Sequence, residues 1–270
     1  MFRYAVVGDP VSHSKSPLIH SLFAEQTGED ISYVAKEVDA QNFDDFVVKF
    51  FAGGGSGLNV TLPHKERANK IAKYREPRAD NAGAVNTLFV NEEGEICGDN
   101  TDGPGLITDI KYNNGIGLGG KNILLVGAGG AIRGVLVSLI EEKPAAITIV
   151  NRTINKAAAL KSKFSNVLDI EISDYENLNG SFDLIINGTS LGIIGEVPPI
   201  SIESINSQTC CYDMMYGNKD TAFVAWAKDK GASEVFDGLG MLVEQAAESF
   251  LRWRGVRPQT GEIIKALRRL

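Results

Sequence analysis

The chain is 270 residues long, which at roughly 150 residues per domain predicts two compact units. Hydrophobic residues at 43% and charged residues at 23% match soluble globular proteins and exclude a disordered tail, a coiled coil and a collagen-like repeat. The formal charge of -7, with no basic tract interleaved with aromatics, argues against nucleic acid as a partner.

The first ten residues, Met1–Pro10, lack the apolar core and cleavage site of a signal peptide, so a cytoplasmic location is expected. Tyr4–Val7 is the first strand. His13-Ser14-Lys15-Ser16-Pro17 follows, and proline suits a first helical position, which predicts Ser16 as N-cap of a helix running to Thr27. The Ser14 and Ser16 hydroxyls would equally suit a ligand carboxylate at that positive helix end. Ser32–Val38 and Leu58–Val60 are the next strands, with Gly53–Gly57 read as a turn. In Asn59-Val60-Thr61-Leu62-Pro63-His64-Lys65, Pro63 is expected to open a helix with Lys65 in its first turn. A cation there opposes the helix dipole, a placement suited to a group that handles protons and equally to a solvated lysine. Thr87–Val90 is a strand, and Gly98-Asp99-Asn100-Thr101-Asp102-Gly103 leads into a helix to Tyr112. Capping and chemistry both fit Asp102.

The second half restarts after a glycine-rich pause at residues 115–120. Ile123–Val126 reads as a buried strand, then Gly127-Ala128-Gly129-Gly130-Ala131 as a tight turn into a helix ending at Glu142. This is the context of a dinucleotide site: Gly127 permits the turn, Gly129 lets backbone approach the pyrophosphate, and helix-start N–H groups face the anion. The strict G-x-G-x-x-G pattern fails because residue 132 is Ile. The next strand, Ile147–Val150, ends in Asn151-Arg152-Thr153, with Lys156 one turn on. The acid that binds a ribose 2′-OH is missing there and a guanidinium stands in its place, which predicts NADP(H) over NAD. The broken apolar window Ile123–Ile140 is therefore strand, turn and helix rather than a membrane span. Lys156–Phe164 is helical, Leu184–Ile186 and Cys210–Asp213 are strands, and Leu239–Arg254 and Glu262–Leu270 are amphipathic helices. Cys97, Cys210 and Cys211 show no CxxC spacing and the three histidines are scattered, so neither disulfides nor a metal site are expected. Alternating strands and helices predict an α/β protein with mostly parallel sheets.

Taken in order, these segments resemble the shikimate dehydrogenase family over essentially the full chain. The resemblance rests on Ser14-Lys15-Ser16-Pro17, Asn59-Val60-Thr61-x-Pro63-x-Lys65, Gly83-Ala84-Val85-Asn86-Thr87, Gly98–Gly103, Gly127–Ala131, Asn151-Arg152-Thr153, Asn187-x-Thr189-Ser190-Leu191-Gly192, Tyr212-Asp213-Met214-x-Tyr216 and Asp237–Gln245. It implies an N-terminal α/β substrate-binding domain, residues 1–101 completed by 238–270. It also implies a Rossmann-type NADP-binding domain over 102–237, with an active-site cleft between the two. The implied activity is reversible NADPH-dependent reduction of 3-dehydroshikimate to shikimate in aromatic amino-acid biosynthesis. By matching positions, Lys65 and Asp102 are the expected catalytic pair. Ser14 and Ser16 meet the substrate carboxylate, and Thr61, Asn86, Tyr216 and Gln245 its hydroxyls or ring. Gly127, Ala128, Gly129, Gly130, Ala131, Asn151, Arg152, Thr153 and Lys156 bind NADP. Thr189, Met214, Gly238 and Met241 line its nicotinamide end.

Two positions depart from the family pattern: Gly188, where many relatives carry Ala, and Gly217-Asn218-Lys219-Asp220, where a proline is common. The alternatives are a quinate/shikimate dehydrogenase that also takes NAD, for which an acid near residues 151–153 would speak, and a non-catalytic NADP-sensing module, which would have lost Lys65 or Asp102. A small-molecule substrate is the expected partner. Monomer and homodimer both fit.

Overall fold

The computed structural model describes residues 1–164 and 168–270. It divides into two compact units, residues 1–105 with 242–269, and residues 106–241. Up to the first passage between units the elements are β1 (Phe2–Gly8), α1 (Ser16–Thr27), β2 (Ile31–Glu37), α2 (Phe43–Ala52), β3 (Gly57–Val60), α3 (Lys65–Ile71), β4 (Tyr74–Arg75), α4 (Pro77–Ala82), β5 (Thr87–Val90), β6 (Ile96–Asp99) and α5 (Asp102–Thr108). Then come β7 (Asn122–Val126), α6 (Gly130–Glu141), β8 (Ala146–Val150), α7 (Ile154–Phe164), β9 (Ile170–Ser173), β10 (Leu184–Asn187), β11 (Cys210–Asp213), α8 (Ala222–Asp229), β12 (Glu234–Asp237), α9 (Leu239–Arg254) and α10 (Gly261–Leu267). Both passages between units fall inside helices, α5 and α9.

The first unit is built on a mixed sheet in the order β2-β1-β3-β5-β6-β4. β1 pairs parallel with β2 and β3, whereas β3–β5 and β5–β6 are antiparallel. Side chains alternate between its faces, as the two-residue period of a strand requires. Ala5, Val7, Leu58, Val60 and Leu88 pack against Phe43 and Val47 of α2 and Ala68 of α3. Tyr4, on the opposite face of β1, stacks on Trp253 of α9 with ring centroids 4.6 Å apart. A Cβ on Gly57 would lie 2.5 Å from the Trp253 Nε1, so the glycine of β3 makes room for the indole.

Two local expectations differ from what is found. Ser16 is the first residue of α1 and Lys15 the N-cap, with Pro17 one position further in. The Ser14 Oγ accepts the Ser16 amide at 3.2 Å, so the capping oxygen comes from two residues earlier than expected. Pro63 does not open a helix. It lies in a turn, joined to Leu62 by a cis peptide bond, closed by the His64 amide donating to the Thr61 carbonyl; Lys65 is then the first residue of α3.

The second unit is an all-parallel sheet in the order β12-β11-β10-β7-β8-β9. Counted from β7 this is 3-2-1-4-5-6, the Rossmann order, which reverses between β7 and β10. Ile123, Leu125, Ile147, Ile149, Leu184 and Ile186 face α6 and α7. Leu124, Val126, Val150, Ile185 and Cys211 face Phe223 and Ala227 of α8. Such strands, apolar on both faces, are what a sheet covered on two sides demands. Residues 238–241 belong to this unit, and Met241 packs into its core.

Candidate functional site

In the first unit the polar residues singled out from the sequence gather at one edge of the sheet. That edge holds the C-terminal ends of β1, β3 and β6 and the start of β5, because β5 runs against both β3 and β6. Ser14 and Ser16 follow β1, Thr61 follows β3, Asn86 precedes β5, and Asp102 follows β6. The Lys65 Nζ donates to the Asp102 Oδ2 at 2.5 Å. The pair is 21% and 8% exposed, so it meets solvent mainly through the lysine. The Asn86 amide donates to the other Asp102 oxygen at 2.8 Å and also reaches the Thr101 Oγ1 and the Gln245 Oε1. Lys65, Asp102, Asn86 and Gln245 are therefore one hydrogen-bonded group.

Asp102 is aimed by its own loop. It is the first residue of α5 rather than the cap. Asn100 takes the capping place, its Oδ1 accepting the Asp102 amide at 3.1 Å while its amide donates to the Ala84 carbonyl at 2.9 Å. Behind it the Arg78 guanidinium grips buried Asp99 through two bonds of 2.6 Å. Such a fork is geometrically rigid.

Beneath this group runs a buried layer to which the sequence motifs assign no role. The Tyr33 hydroxyl donates to the Asn59 Oδ1 at 2.7 Å. The Asn59 amide donates to the Thr87 Oγ1 and the Ser249 Oγ at 3.2 and 3.0 Å. Thr87 and Thr101 both donate to the Asn86 Oδ1. Asn59, Thr87 and Thr101 lie within the quoted motifs. Ser249 lies one helical turn after Gln245 and donates to its carbonyl; that spacing was the only available signal. A buried network of this kind fixes orientation because each unmade bond costs desolvation.

In the second unit the glycine turn has the form a dinucleotide needs. Gly127 has φ +107°, and a Cβ on Gly129 would meet nothing within 4 Å. Gly129 is the N-cap of α6 and offers no side-chain cap to the first N–H groups of the helix. Those are the donors a pyrophosphate takes. Ala128 is buried beside them, and Arg152, Thr153 and Lys156 stand exposed after β8 with Asn151 half-buried at its end. The Asn151 amide holds the Thr153 carbonyl at 2.8 Å. The residues present fit NADP(H): a glycine cradle, a free helix start, and two cations where a 2′-phosphate would sit.

Thr189, Met214, Gly238 and Met241 follow β10, β11 and β12, at the C-terminal ends where ligands bind such sheets. The Gly238 amide donates to the Met215 carbonyl at 2.9 Å. Gly238 approaches the Met214 carbonyl too closely for any Cβ, and Gly240 does the same at the Asp109 carboxylate. Tyr216, also in this unit, is half-buried, and burial raises its phenol pKa. Among the described residues no three His, Cys, Asp or Glu side chains are grouped to hold a metal. No described helix is long and apolar enough to cross a membrane.

A Rossmann-ordered sheet, a glycine turn into an uncapped helix start and exposed cations after β8 fit one class: an NADP-dependent oxidoreductase. Family models narrow it. Residues 6–88 match a shikimate dehydrogenase substrate binding domain, residues 111–194 a shikimate/quinate 5-dehydrogenase, and residues 238–268 a shikimate 5'-dehydrogenase C-terminal domain. A shikimate dehydrogenase (NADP(+)) from Hahella chejuensis is 53% identical over 268 residues, covering 99% of each chain. Among solved structures, an Ael1 enzyme from Pseudomonas putida superposes with a TM-score of 0.94 at 41% identity, over 99% of this chain and 98% of that one. The shikimate 5-dehydrogenase of Thermus thermophilus, in complex with NADP(H) and shikimate, superposes with a TM-score of 0.90 at 33% identity, over 100% and 99%. The chain belongs to the shikimate dehydrogenase family.

Proposed function

We propose that this chain catalyses the reversible NADPH-dependent reduction of 3-dehydroshikimate to shikimate, and that residues 1–101 with the C-terminal helices hold the substrate. The observation that carries the chemistry is the 2.5 Å bond from Lys65 to Asp102, with Asn86 on the second carboxylate oxygen. Bound NADPH supplies the hydride that reduces the C3 carbonyl of the substrate. As that bond forms, negative charge grows on the carbonyl oxygen. Lys65 stabilises the charge and delivers a proton to the oxygen; in the reverse direction it takes the proton back. Asp102 keeps the ammonium aimed, and its own aim is kept by Asn86 and Asn100.

Ser14 and Ser16 meet the substrate carboxylate beside the start of α1, and Thr61, Asn86, Tyr216 and Gln245 its hydroxyls or ring. The glycine turn from Gly127 to Ala131 takes the pyrophosphate, and Arg152 with Lys156 the 2′-phosphate. Guanidinium groups bind phosphate through two parallel bonds, which supports NADP over NAD. The location expected is cytoplasmic, and the protein works as a monomer or a homodimer.

The test is Lys65→Ala. Turnover of shikimate falls by about 100-fold or more, while NADP+ titrated by fluorescence binds as in the unsubstituted protein. Turnover within threefold of the starting enzyme removes the lysine from its role. Rates with NAD+ and quinate in the same assay distinguish the broader quinate/shikimate activity.

A further inference from the structure

Asp213, the last residue of β11, is fully buried and bonds to three neutral donors. Its Oδ1 accepts the Asn187 amide at 3.0 Å and the Met215 backbone amide at 3.1 Å. Its Oδ2 accepts the Thr221 hydroxyl at 2.5 Å. Asn187, the last residue of β10, is equally buried and sits opposite Asp213 in the parallel register. It passes the constraint on: its Oδ1 accepts both the Thr189 amide, at 3.1 Å, and the Thr189 hydroxyl, at 2.8 Å. Its carbonyl accepts the Met214 amide at 2.9 Å. Met215 in turn holds Gly238. One carboxylate thus ties together the loops after β10, β11 and β12.

A buried carboxylate is an expensive way to join loops. Desolvation disfavours its charged form, and burial does raise this carboxyl's pKa. Apolar packing would serve stability as well. What the carboxylate adds is direction, since each of its two oxygens selects its donors.

We infer that Asp213 and Asn187 are positioning residues for the reaction, setting Thr189 and the Met214–Met215 loop against the reacting end of the dinucleotide. This rests on the reading that Thr189, Met214 and Gly238 line that end. Neither residue touches the reacting atoms in this account; both act through Thr189 and the loop.

The protein is tested as Asp213→Asn and Asn187→Ser, with Thr209→Val as a comparison. Thr209→Val removes a buried hydroxyl at the other end of β11, which donates to the Phe182 carbonyl and accepts the Asn206 amide. Reduction is followed with NADPH and with NADPH deuterated at the transferred position. Asp213→Asn and Asn187→Ser are expected to lower kcat roughly tenfold or more, as displacement of reacting groups does. They also raise the isotope effect on kcat and leave the KM for 3-dehydroshikimate unchanged. Thr209→Val lowers the melting temperature and leaves kcat and the isotope effect as they were.

The inference is overturned if both variants keep the original kcat and isotope effect, or if all three lose kcat in step with melting temperature. Should Asp213→Asn fail to fold, Asn187→Ser decides alone by the same readouts. A Thr189→Val variant separates the two claims. If it leaves kcat and the isotope effect untouched, the assignment of Thr189 falls, and the inference with it. If it changes them while Asp213→Asn and Asn187→Ser do not, the inference alone falls.

Discussion

His20 on α1 is enclosed on every side. Its ring lies flat on Tyr33 with centroids 4.0 Å apart, and Phe23, Phe250 and Trp253 surround it. Among the described residues neither ring nitrogen has a hydrogen-bond partner. Burial lowers its pKa to about 3 from an ordinary 6.5, offset only in part by the neighbouring Asn59 side chain. The unfolded chain therefore binds a proton that the native protein refuses between those values. The resulting stability is full above pH 6.5 and drains away as the pH falls toward 3. At pH 4 the loss is about 3 kcal/mol. His20→Phe keeps an aromatic ring against Tyr33 and removes the titration. Its unfolding free energy should fall less between pH 7 and pH 4 than that of the parent by about that amount, measured by urea denaturation at both pH values. Equal acid sensitivity of the two proteins would show that His20 is not the group responsible. The same residue marks a limit of sequence reading. Nothing in Leu18-Ile19-His20 separates a buried neutral imidazole from a surface one, because every enclosing ring but Phe23 comes from another element, β2 or α9.

At the scale of elements, the missing third glycine of the dinucleotide turn has a structural answer. Residue 132 is a fully buried Ile on α6. A Cβ on Gly188, after β10, would lie 2.5 Å from its Cδ1 and 2.7 Å from its Cγ1. The space that a glycine at 132 would have opened is instead opened by Gly188, so the two departures from pattern compensate each other. Gly188→Ala should destabilise by about 1–3 kcal/mol through overpacking. With Ile132→Ala the double variant should be more stable than the sum of the singles by at least about 1 kcal/mol. Strict additivity in denaturant unfolding would mean that the contact is not what excludes Ala.

The apolar strands of the second unit, Ile123–Val126 and Ile147–Val150 above all, were legible because both faces are covered. The short strands at the sheet edges or next to them were not. β4 has two residues, β12 is only half-buried, and β6 carries Gly98 and Asp99 where an apolar period would announce a strand. Lys65, Asp102 and the glycine turn were legible as motifs. The layer that orients Lys65 and Asp102 was not, since Tyr33, Asn59 and Ser249 meet only after β2, β3 and α9 have packed.

At the scale of the whole molecule, the first unit is discontinuous in sequence and the second is not. The sheet of the first unit is complete by Asp99, yet part of what covers it comes from α9 and α10. Trp253 donates to the Leu88 carbonyl at 3.3 Å, Phe250 is fully buried, and Ile263 and Leu267 are nearly so. A chain ended after Met241 keeps everything that packs around β7 to β11. In hydrogen exchange, such a chain should protect the amides of β7, β8 and β10 and lose protection across β1, β3 and β5. Protection of both sheets would show that the first needs no C-terminal cover.

The passage of the chain through α9 also has a consequence for biogenesis. A ribosome adding roughly 5–20 residues per second spends on the order of ten seconds between Asp99 and the residues of α9 that shield the first sheet. For that interval the nascent chain carries a finished set of strands with one apolar face bare, while the dinucleotide-binding half emerges and can close behind it. The later-made half is therefore the first able to mature, and the nascent face around Tyr4 and Phe23 is where a chaperone would be needed.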